Sequence, residues 1–364
     1  MGLTIMKEEI PPIYFYLPQS LCSKIELPKN PVHYWDWMIS QNLKNLGSFS
    51  WTLLTYLHLQ QDNFPCYFTH NLPKQGIVIS HRALLPDNLK PTPRRLIVAL
   101  QSDRGRHPYA QLHVVQNRRQ EVTQKPFSLW PSFFLPHWTQ PNIRSRNPER
   151  KDKFENIAFF GEKHNLIPEL RQSLWEETLR ELGLNWQIIT PIHWHDYSQV
   201  DVVVAIRKFG YSWDHTWKPA TKLYNSWLAG VPAILGCESA YQAERQSELD
   251  YLEVSSFDSL VSTIKLLKDD LRLREKIFKN SQVRAKEVEP KNTVSKWYNF
   301  LTTIAIPQYL HWISMADTER QDFFRLRTLA YPFYKKQREL RFFNAKLTNI
   351  FTPQNFVGQT RKYL

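Results

Sequence analysis

The first 118 residues alternate between short apolar runs and longer amphipathic segments. Four runs stand out, at residues 13–18 (IYFYLP), 76–81 (GIVISH), 95–100 (RLIVAL) and 112–117 (LHVVQN). Each is continuously apolar instead of strictly alternating, which is typical of strands buried on both faces of a parallel sheet. Helix-like segments at about 31–46 and 48–61 separate the first two runs. The pattern predicts an α/β domain over residues 1–118.

A second alternation of strands and helices begins near residue 155. The stretch FENIAFFGEKHNLIPELRQSLWEETLRELGLNWQIIT indicates a strand, a turn at Gly161, a helix at about 167–182 and another strand, which together form a βαβ unit. The strands expected in this half of the chain lie at 156–160, 186–190, 201–206, 232–235 and 252–255. We therefore expect a second α/β domain over residues 155–295.

Two segments lack this alternation. Residues 119–154 are rich in Pro, Trp and Arg without a sustained period, and we interpret them as a connector. Residues 296–364 are mostly helical, aromatic and basic in pattern, a tail that could pack across both domains or lie on a surface. A chain of 364 residues suits two domains with separate cores. The fold class expected is α/β, with two Rossmann-like domains and a helical C-terminal tail.

The net charge of +13 is unevenly distributed. Residues 1–150 contain 17 basic and nine acidic residues, residues 300–364 contain ten and four, and the middle of the chain is nearly balanced. This asymmetry is compatible with an anionic substrate, an anionic membrane surface, nucleic acid or ordinary solvated surface. A nucleic-acid partner is disfavoured, because the sequence has neither a zinc module nor a glycine-rich aromatic sheet motif.

The cysteines and the amino terminus indicate a cytoplasmic location. The three cysteines (Cys22, Cys66 and Cys237) are scattered and odd in number, which fits a reducing compartment better than a disulfide framework. The first 20 residues do not resemble a signal peptide, and no apolar run approaches the roughly 18 residues needed to span a bilayer.

An anion site is expected at the strand ends of the second domain. In open parallel sheets, ligands bind at the carboxyl ends of the strands, where the sequence places Gly161, Arg207, Glu238 and Ser239. A helix beginning near KPATK adds Lys218, Thr221 and Lys222 at its positive end. Lysines oppose the helix dipole there, unless an anion such as a diphosphate lies in front. The alternative is that both lysines merely solvate the helix end or pair with Glu238 or Asp214.

The stretch from Lys222 to Gly236, KLYNSWLAGVPAILG, resembles the helix, A-G-x-P turn and buried strand of the donor domain in GT-B glycosyltransferases of the group 1 type. The loop GCESA that follows is similar to the segment that approaches the donor sugar and phosphates. The resemblance covers residues 155–295 well and the first 118 residues only in layout. It implies a nucleotide-sugar as donor substrate, no cofactor and no bound metal.

Two positions depart from that family pattern. Many retaining members carry two glutamates eight positions apart, where this sequence has Trp217 and Asn225. Asn225 can still hydrogen-bond a ribose, and Glu238 could take over a contact to a sugar hydroxyl. The resemblance therefore names neither the nucleotide, the sugar nor the stereochemical outcome.

A general base is expected from the first domain. The stretch LQSDRGRH follows a buried strand, and Asp103 and His107 are our candidates to take a proton from an acceptor hydroxyl. The alternative for Asp103 is an ion pair with Arg104 or Arg106. His81, Arg82 and His137 are weaker candidates of the same positional type. His193 and His195 have a spacing that can ligate metal, but a polar loop is favoured because no third ligand has a recognised spacing.

We expect a metal-independent glycosyltransferase that moves a sugar from a nucleotide-diphospho-sugar to an acceptor hydroxyl. The alternative is a non-catalytic GT-B-like protein that binds a nucleotide or sugar. The basic first domain and tail favour peripheral contact with an anionic membrane surface or a charged acceptor.

Overall fold

The structure is a computed structural model that describes residues 10–21, 26–41, 46–122, 128–210 and 215–350. Two all-parallel sheets, one in each half of the chain, form its centre. The predicted α/β class with a helical C-terminal region is confirmed. The domain boundaries stay predictions.

The first sheet has six strands in the order β2-β1-β3-β4-β5-β6. They are β1 Ile13–Tyr16, β2 Tyr67–Thr69, β3 Gly76–His81, β4 Arg95–Leu100, β5 Leu112–Val115 and β6 Ser132–Phe134. All residues of β3, β4 and β5 are buried, as their continuous apolar runs indicate. The short outer strands β2 and β6 were not predicted, and β6 extends this sheet from within the segment interpreted as a connector.

Helices from both ends of the chain complete the core of this first domain. The early ones are α1 Tyr34–Ser40 and α2 Leu46–Gln61. The late ones are α8 Pro290–Phe300, a π-helical turn at Leu301–Ala305, and α9 Ile306–Ser314. Trp297 and Trp312 are almost fully buried in the same cluster as Trp51, and Trp312 Nε1 donates to Thr92 O at 2.8 Å. The start of the predicted tail is thus part of a core.

The second sheet has five strands in the order β11-β10-β9-β7-β8. They are β7 Asn156–Phe160, β8 Asn185–Ile189, β9 Val202–Ala205, β10 Ala233–Gly236 and β11 Leu252–Val254. The associated helices are α3 Ser173–Glu181, α4 Thr221–Ala229, α5 Ser239–Glu244, α6 Phe257–Asp269 and α7 Leu271–Val288. The chain runs from β7 to β8 on one side and then returns to β9 on the other. The topological switch point therefore lies between β7 and β9.

A buried carboxylate holds the preceding segment to this second domain. Asp201, 2% exposed, accepts hydrogen bonds from Arg146 Nε at 2.9 Å and from Arg150 Nη2 at 2.6 Å. The backbone N–H groups of Glu155 and Asn156 also donate to Asp201, each at 2.9 Å. Burial acts to raise the pKa of Asp201, but these hydrogen bonds outweigh it and lower the pKa.

The longest helix, α10 Asp317–Ile350, lies against the first domain. Arg327 is 3% exposed and donates to Ala110 O, and the Tyr334 ring lies 5.4 Å from that of Trp130. Within the described ranges, each helix is too short or too polar to cross a membrane. Cys66 and Cys237 are free thiols, whereas Cys22 and residues 351–364 lie outside the described residues.

Candidate functional site

The candidate site lies at the switch point of the second sheet. Gly161 directly follows β7, Arg207 comes just after β9, and the amino end of α4 follows in the chain. Carboxyl ends of parallel strands at a switch point leave a crevice between the diverging connections. The fold therefore brings together the residues that the sequence assigned to an anion site.

The amino end of α4 has no side-chain cap. Its first intrahelical bond runs from Tyr224 N to Ala220 O, so the amides of Thr221, Lys222 and Leu223 precede the hydrogen-bonded turns. Thr221 Oγ1 is buried and makes no hydrogen bond in the described part of the chain. The far end stops at Gly230, whose φ of 65° is left-handed. The open end of α4 thus offers amides and a hydroxyl to an oxyanion.

Lys222 is held against an aromatic ring instead of a carboxylate. Its Nζ lies 5.3 Å from the centre of the Phe159 ring, and no described acidic group forms a salt bridge with it. A Cβ on Gly161 would lie 2.7 Å from the Phe159 ring and 3.5 Å from Lys222 Nζ, so only glycine fits there. Burial, and next the charge of Arg207, lower the pKa of Lys222 to about 7, although Glu238 acts to raise it.

Arg207 and Glu238 form a largely buried ion pair beside Lys222. Arg207 Nη1 donates to Glu238 Oε2, and the two side chains are 14% and 8% exposed. The other carboxylate oxygen, Glu238 Oε1, is buried without a hydrogen bond among the described residues. A buried acceptor without a donor is costly, so it suits a ligand hydroxyl.

The two domains touch at this point. Lys218 Nζ donates to Asp103 Oδ2 at 2.6 Å, and Gln116 Nε2 donates to Asp103 Oδ1 at 3.0 Å and to Trp217 O at 2.8 Å. Asn117 Nδ2 donates to Ser239 Oγ at 3.0 Å nearby. Asp103 therefore pairs with Lys218 of the opposite domain, whereas the sequence had suggested Arg104 or Arg106 as its alternative partners.

His107 does not suit the role of a base. It is 0% exposed, its Nδ1 accepts hydrogen bonds from the N–H groups of Tyr109 and Ala110, and its Nε2 lies 2.9 Å from Pro86 O. Both ring nitrogens therefore have hydrogen-bond partners in the backbone, and the ring stabilises the conformation of its own loop. Burial lowers the pKa of His107 to about 4, which keeps the ring neutral.

Asn225, another candidate, contacts the segment that precedes the second domain. Its Oδ1 accepts from Gln140 N at 3.0 Å, and the residue is 7% exposed. The side chain is therefore used to hold the preceding segment against the middle of α4. Sequence reasoning placed it correctly on the helix, and its assignment to a ribose stays a prediction.

His81, a weaker candidate in the sequence, lies at the equivalent switch point of the first sheet. Its Nδ1 accepts from Ala83 N at 3.3 Å and lies 3.1 Å from Ser48 Oγ, so the neutral ring carries its proton on Nε2. A Cβ on Gly47 would lie 3.8 Å from both His81 Nε2 and Ser102 Oγ. Burial, followed by the charge of Arg104, lowers the pKa of His81 to about 4. His81 thus presents a hydrogen-bond donor next to the Asp103 loop.

No three His, Cys, Asp or Glu side chains in the described ranges converge to hold a metal ion. Two Rossmann-like domains whose strand ends meet across a crevice form the GT-B architecture that the sequence resemblance implies, and this expectation of the fold is confirmed.

No family model and no curated protein matches the chain. The chain is similar to the crystal structure of Anabaena HepE in complex with UDP, with a TM-score of 0.45 and 10% identity over 81% of this chain and 100% of that one. It is also similar to TarM, with a TM-score of 0.44 and 9% identity over 69% and 58% of the two chains. For sucrose-phosphate synthase from Thermosynechococcus elongatus the TM-score is 0.41, with 10% identity over 77% and 83%.

Proposed function

We propose that the chain is a glycosyltransferase that moves a sugar from a nucleotide-diphospho-sugar to an acceptor hydroxyl. One observation carries the proposal: three cations, Arg207, Lys218 and Lys222, surround the uncapped amino end of α4 at a switch point. The first amides of α4, which have no side-chain cap among the described residues, and the clustered basic side chains match the acceptor oxygens and the charge of a diphosphate. A cytoplasmic location belongs to the same proposal.

The donor diphosphate lies against the amides of α4 in this proposal. Thr221 Oγ1 and Lys222 Nζ contribute a hydroxyl and an ammonium donor, and the helix dipole adds positive potential. These groups neutralise the charge that develops on the departing nucleoside diphosphate, which is why we propose catalysis without a metal. Glu238 Oε1 accepts a hydrogen bond from a hydroxyl of the donor.

Asp103 is the proposed base. In the unliganded structure it is paired with Lys218, so the diphosphate must draw Lys218 away before the carboxylate can accept a proton. The acceptor oxygen then bonds to the anomeric carbon while its proton passes to Asp103. The bond from that carbon to the phosphate oxygen breaks, and the diphosphate leaves with the electron pair. Donor binding thereby activates the base.

Thermal unfolding in the presence of nucleoside diphosphates tests the donor site. A ligand that binds the folded state at 100 times its Kd stabilises it by about 2.7 kcal/mol. We expect a raised Tm with at least one of UDP, GDP, ADP and CDP, and no such rise for Lys222→Met. Lys276→Met, which removes an exposed lysine from α7, serves as the control and should keep the rise. A wild-type Tm that no diphosphate changes excludes this donor site.

Turnover distinguishes an enzyme from the alternative, a non-catalytic nucleotide- or sugar-binding protein. The departure from the glutamate pair at Trp217 and Asn225 favours that alternative. We expect the wild type to release nucleoside diphosphate from a nucleotide-sugar, and Asp103→Asn to slow the release by about 10²–10⁴-fold while keeping the Tm rise. Binding without any release in the wild type would favour the binding protein.

A further inference from the structure

The outer face of α10 carries a row of four exposed apolar side chains. Leu326, Leu329, Phe333 and Leu340 are 55%, 61%, 78% and 52% exposed. Their spacing of three, four and seven residues places them along one side of the helix. An aromatic side chain as exposed as Phe333, in line with three leucines, is unusual for a surface in contact with water alone.

The opposite face of α10 packs against the first domain. Arg327 is buried against Pro108 and Ala110, and the rings of Tyr331 and Tyr334 pack against Trp130. The helix is therefore held to the first domain with a fixed orientation. The apolar row points outward and cannot turn into the core of its own chain.

Basic side chains accompany the apolar row. Arg325 and Lys336 are exposed beside the row, and Glu339 is the single acidic residue between positions 323 and 340. Lys336 lies one helical turn after Phe333 and one before Leu340, on the edge of the row. A helix with an apolar stripe bordered by lysine and arginine matches an interface between anionic headgroups and acyl chains.

Charge disfavours a second copy as the occupant of this face. Two copies meeting along α10 would bring Arg325 and Lys336 of both chains together, and each chain carries a net charge of +13. Like charges at a contact repel, whereas an anionic surface attracts all of them.

We propose that the outer face of α10 docks the protein on an anionic membrane surface. Leu326, Leu329, Phe333 and Leu340 insert among the acyl chains near the headgroups, and the flanking Arg325 and Lys336 contact lipid phosphates. The proposal does not depend on glycosyl transfer. It has a geometric consequence for the cleft, because Tyr334 OH accepts from Arg106 N at 3.0 Å in the loop that holds Asp103. Docking would place that loop near the membrane.

Vesicle co-sedimentation of the full chain tests the docking face. We expect binding to vesicles of mixed phosphatidylcholine and phosphatidylglycerol, and little to phosphatidylcholine alone. The double variant Leu329→Ser, Phe333→Ser should bind at least about tenfold more weakly. Leu174→Ser is the matched control, because Leu174 is also 61% exposed but lies on α3 of the other domain. It should bind like the wild type.

Two further measurements test the role of the basic side chains and check that the variants are folded. Arg325→Gln with Lys336→Gln should weaken binding about fivefold for each charge removed, and thermal unfolding should show that every variant remains folded. Equal binding to both vesicle types, or an unchanged affinity of the Leu329/Phe333 variant, would overturn the proposal. So would a wild type that binds no vesicles and sediments as a dimer which the same variant dissociates.

Discussion

At the scale of single residues, Lys222 shows how a group suited to ligand binding can lower the stability of the protein without its ligand. It is a partly buried cation beside Arg207 and the Phe159 ring, with no carboxylate of its own. Its sequence position predicts an ammonium group at a helix start but not its lowered pKa, because that depends on burial in the folded chain and on the charge of Arg207 from another strand end. Two predictions follow from its surroundings.

The first concerns stability. Folding lowers the pKa of Lys222 to about 7, so the unfolded chain binds this proton more tightly. The resulting cost is fully present below about pH 7 and disappears near the free lysine value of about 10.4. We expect Lys222→Met to raise the Tm by about 2–4 °C at pH 7 and less at about pH 10. Thermal unfolding at both pH values checks this, and a lower Tm at pH 7 would contradict it.

The second concerns the pH dependence of donor binding. Above about pH 7 the free protein holds Lys222 largely neutral, so binding a diphosphate must take up a proton. The affinity for a nucleotide-sugar, whose diphosphate does not titrate here, should fall by up to about tenfold per pH unit above 7. Titration calorimetry in buffers of different ionisation enthalpy measures the uptake. Lys222→Arg should remove it, and uptake that persists in this variant would assign the proton to another group.

His107 illustrates what a sequence pattern cannot resolve. A histidine in a loop after a buried strand has the position expected of a base, and so does Asp103. The two residues differ in their hydrogen bonds. The loop folds so that the backbone N–H groups of Tyr109 and Ala110 donate to the His107 ring. Asp103 instead extends across the crevice to Lys218. The local sequence predicts neither set of contacts, because both depend on the path of the folded chain.

At the scale of elements, strands with a long apolar run were predictable and short outer strands were not. β3, β4, β7 and β10 match their predicted positions because burial on both faces requires continuous apolar residues. β2 and β6 have three residues each, and Tyr67 in β2 is 56% exposed. Their sequences carry little burial signal, so only pairing with β1 and β5 identifies them.

The hydrogen bonds to Asp201 give a prediction at this scale. Removing its carboxylate takes from the largely buried Arg150 its closest partner and leaves it the longer contacts to Glu155 at 3.2 Å and Gln199 at 3.1 Å. Breaking a buried ion pair in this way typically costs about 3–5 kcal/mol. We expect Asp201→Ala to destabilise the second domain by that amount, measured by chemical denaturation. Asp258→Ala, on the surface of α6, is a suitable control with little expected effect.

The pH dependence of this contribution has a defined sign. Because the pKa of Asp201 is lowered on folding, its stabilisation is present above the unfolded value of about 3.9 and is lost as the pH falls below it. The difference between wild type and Asp201→Ala should therefore shrink in acid. A difference that stayed constant down to about pH 2 would exclude this account.

At the scale of the whole molecule, side-chain contacts join the two domains at the candidate site, and a bound diphosphate would replace some of them. Lys218 and Asp103 are 24% and 45% exposed, and such pairs contribute about 0.2–1 kcal/mol. A double-mutant cycle of Lys218→Met and Asp103→Asn on thermal stability should show coupling of this size in the free protein. With saturating nucleoside diphosphate the coupling should vanish, because the phosphates take over Lys218. Coupling that persists with ligand would place Lys218 outside the donor site.

The return of the C-terminal helices to the first domain has a consequence for biosynthesis. Trp297 and Trp312 complete the cluster around Trp51, yet the ribosome makes them long after the six strands of that sheet. At about 5–20 residues per second, the interval between β6 and Trp312 is roughly 10–35 s. During that time the nascent amino-terminal half displays an unfinished apolar surface while the second domain can already fold. The half that is translated first is therefore completed last, and its exposed surface is where a chaperone would be needed.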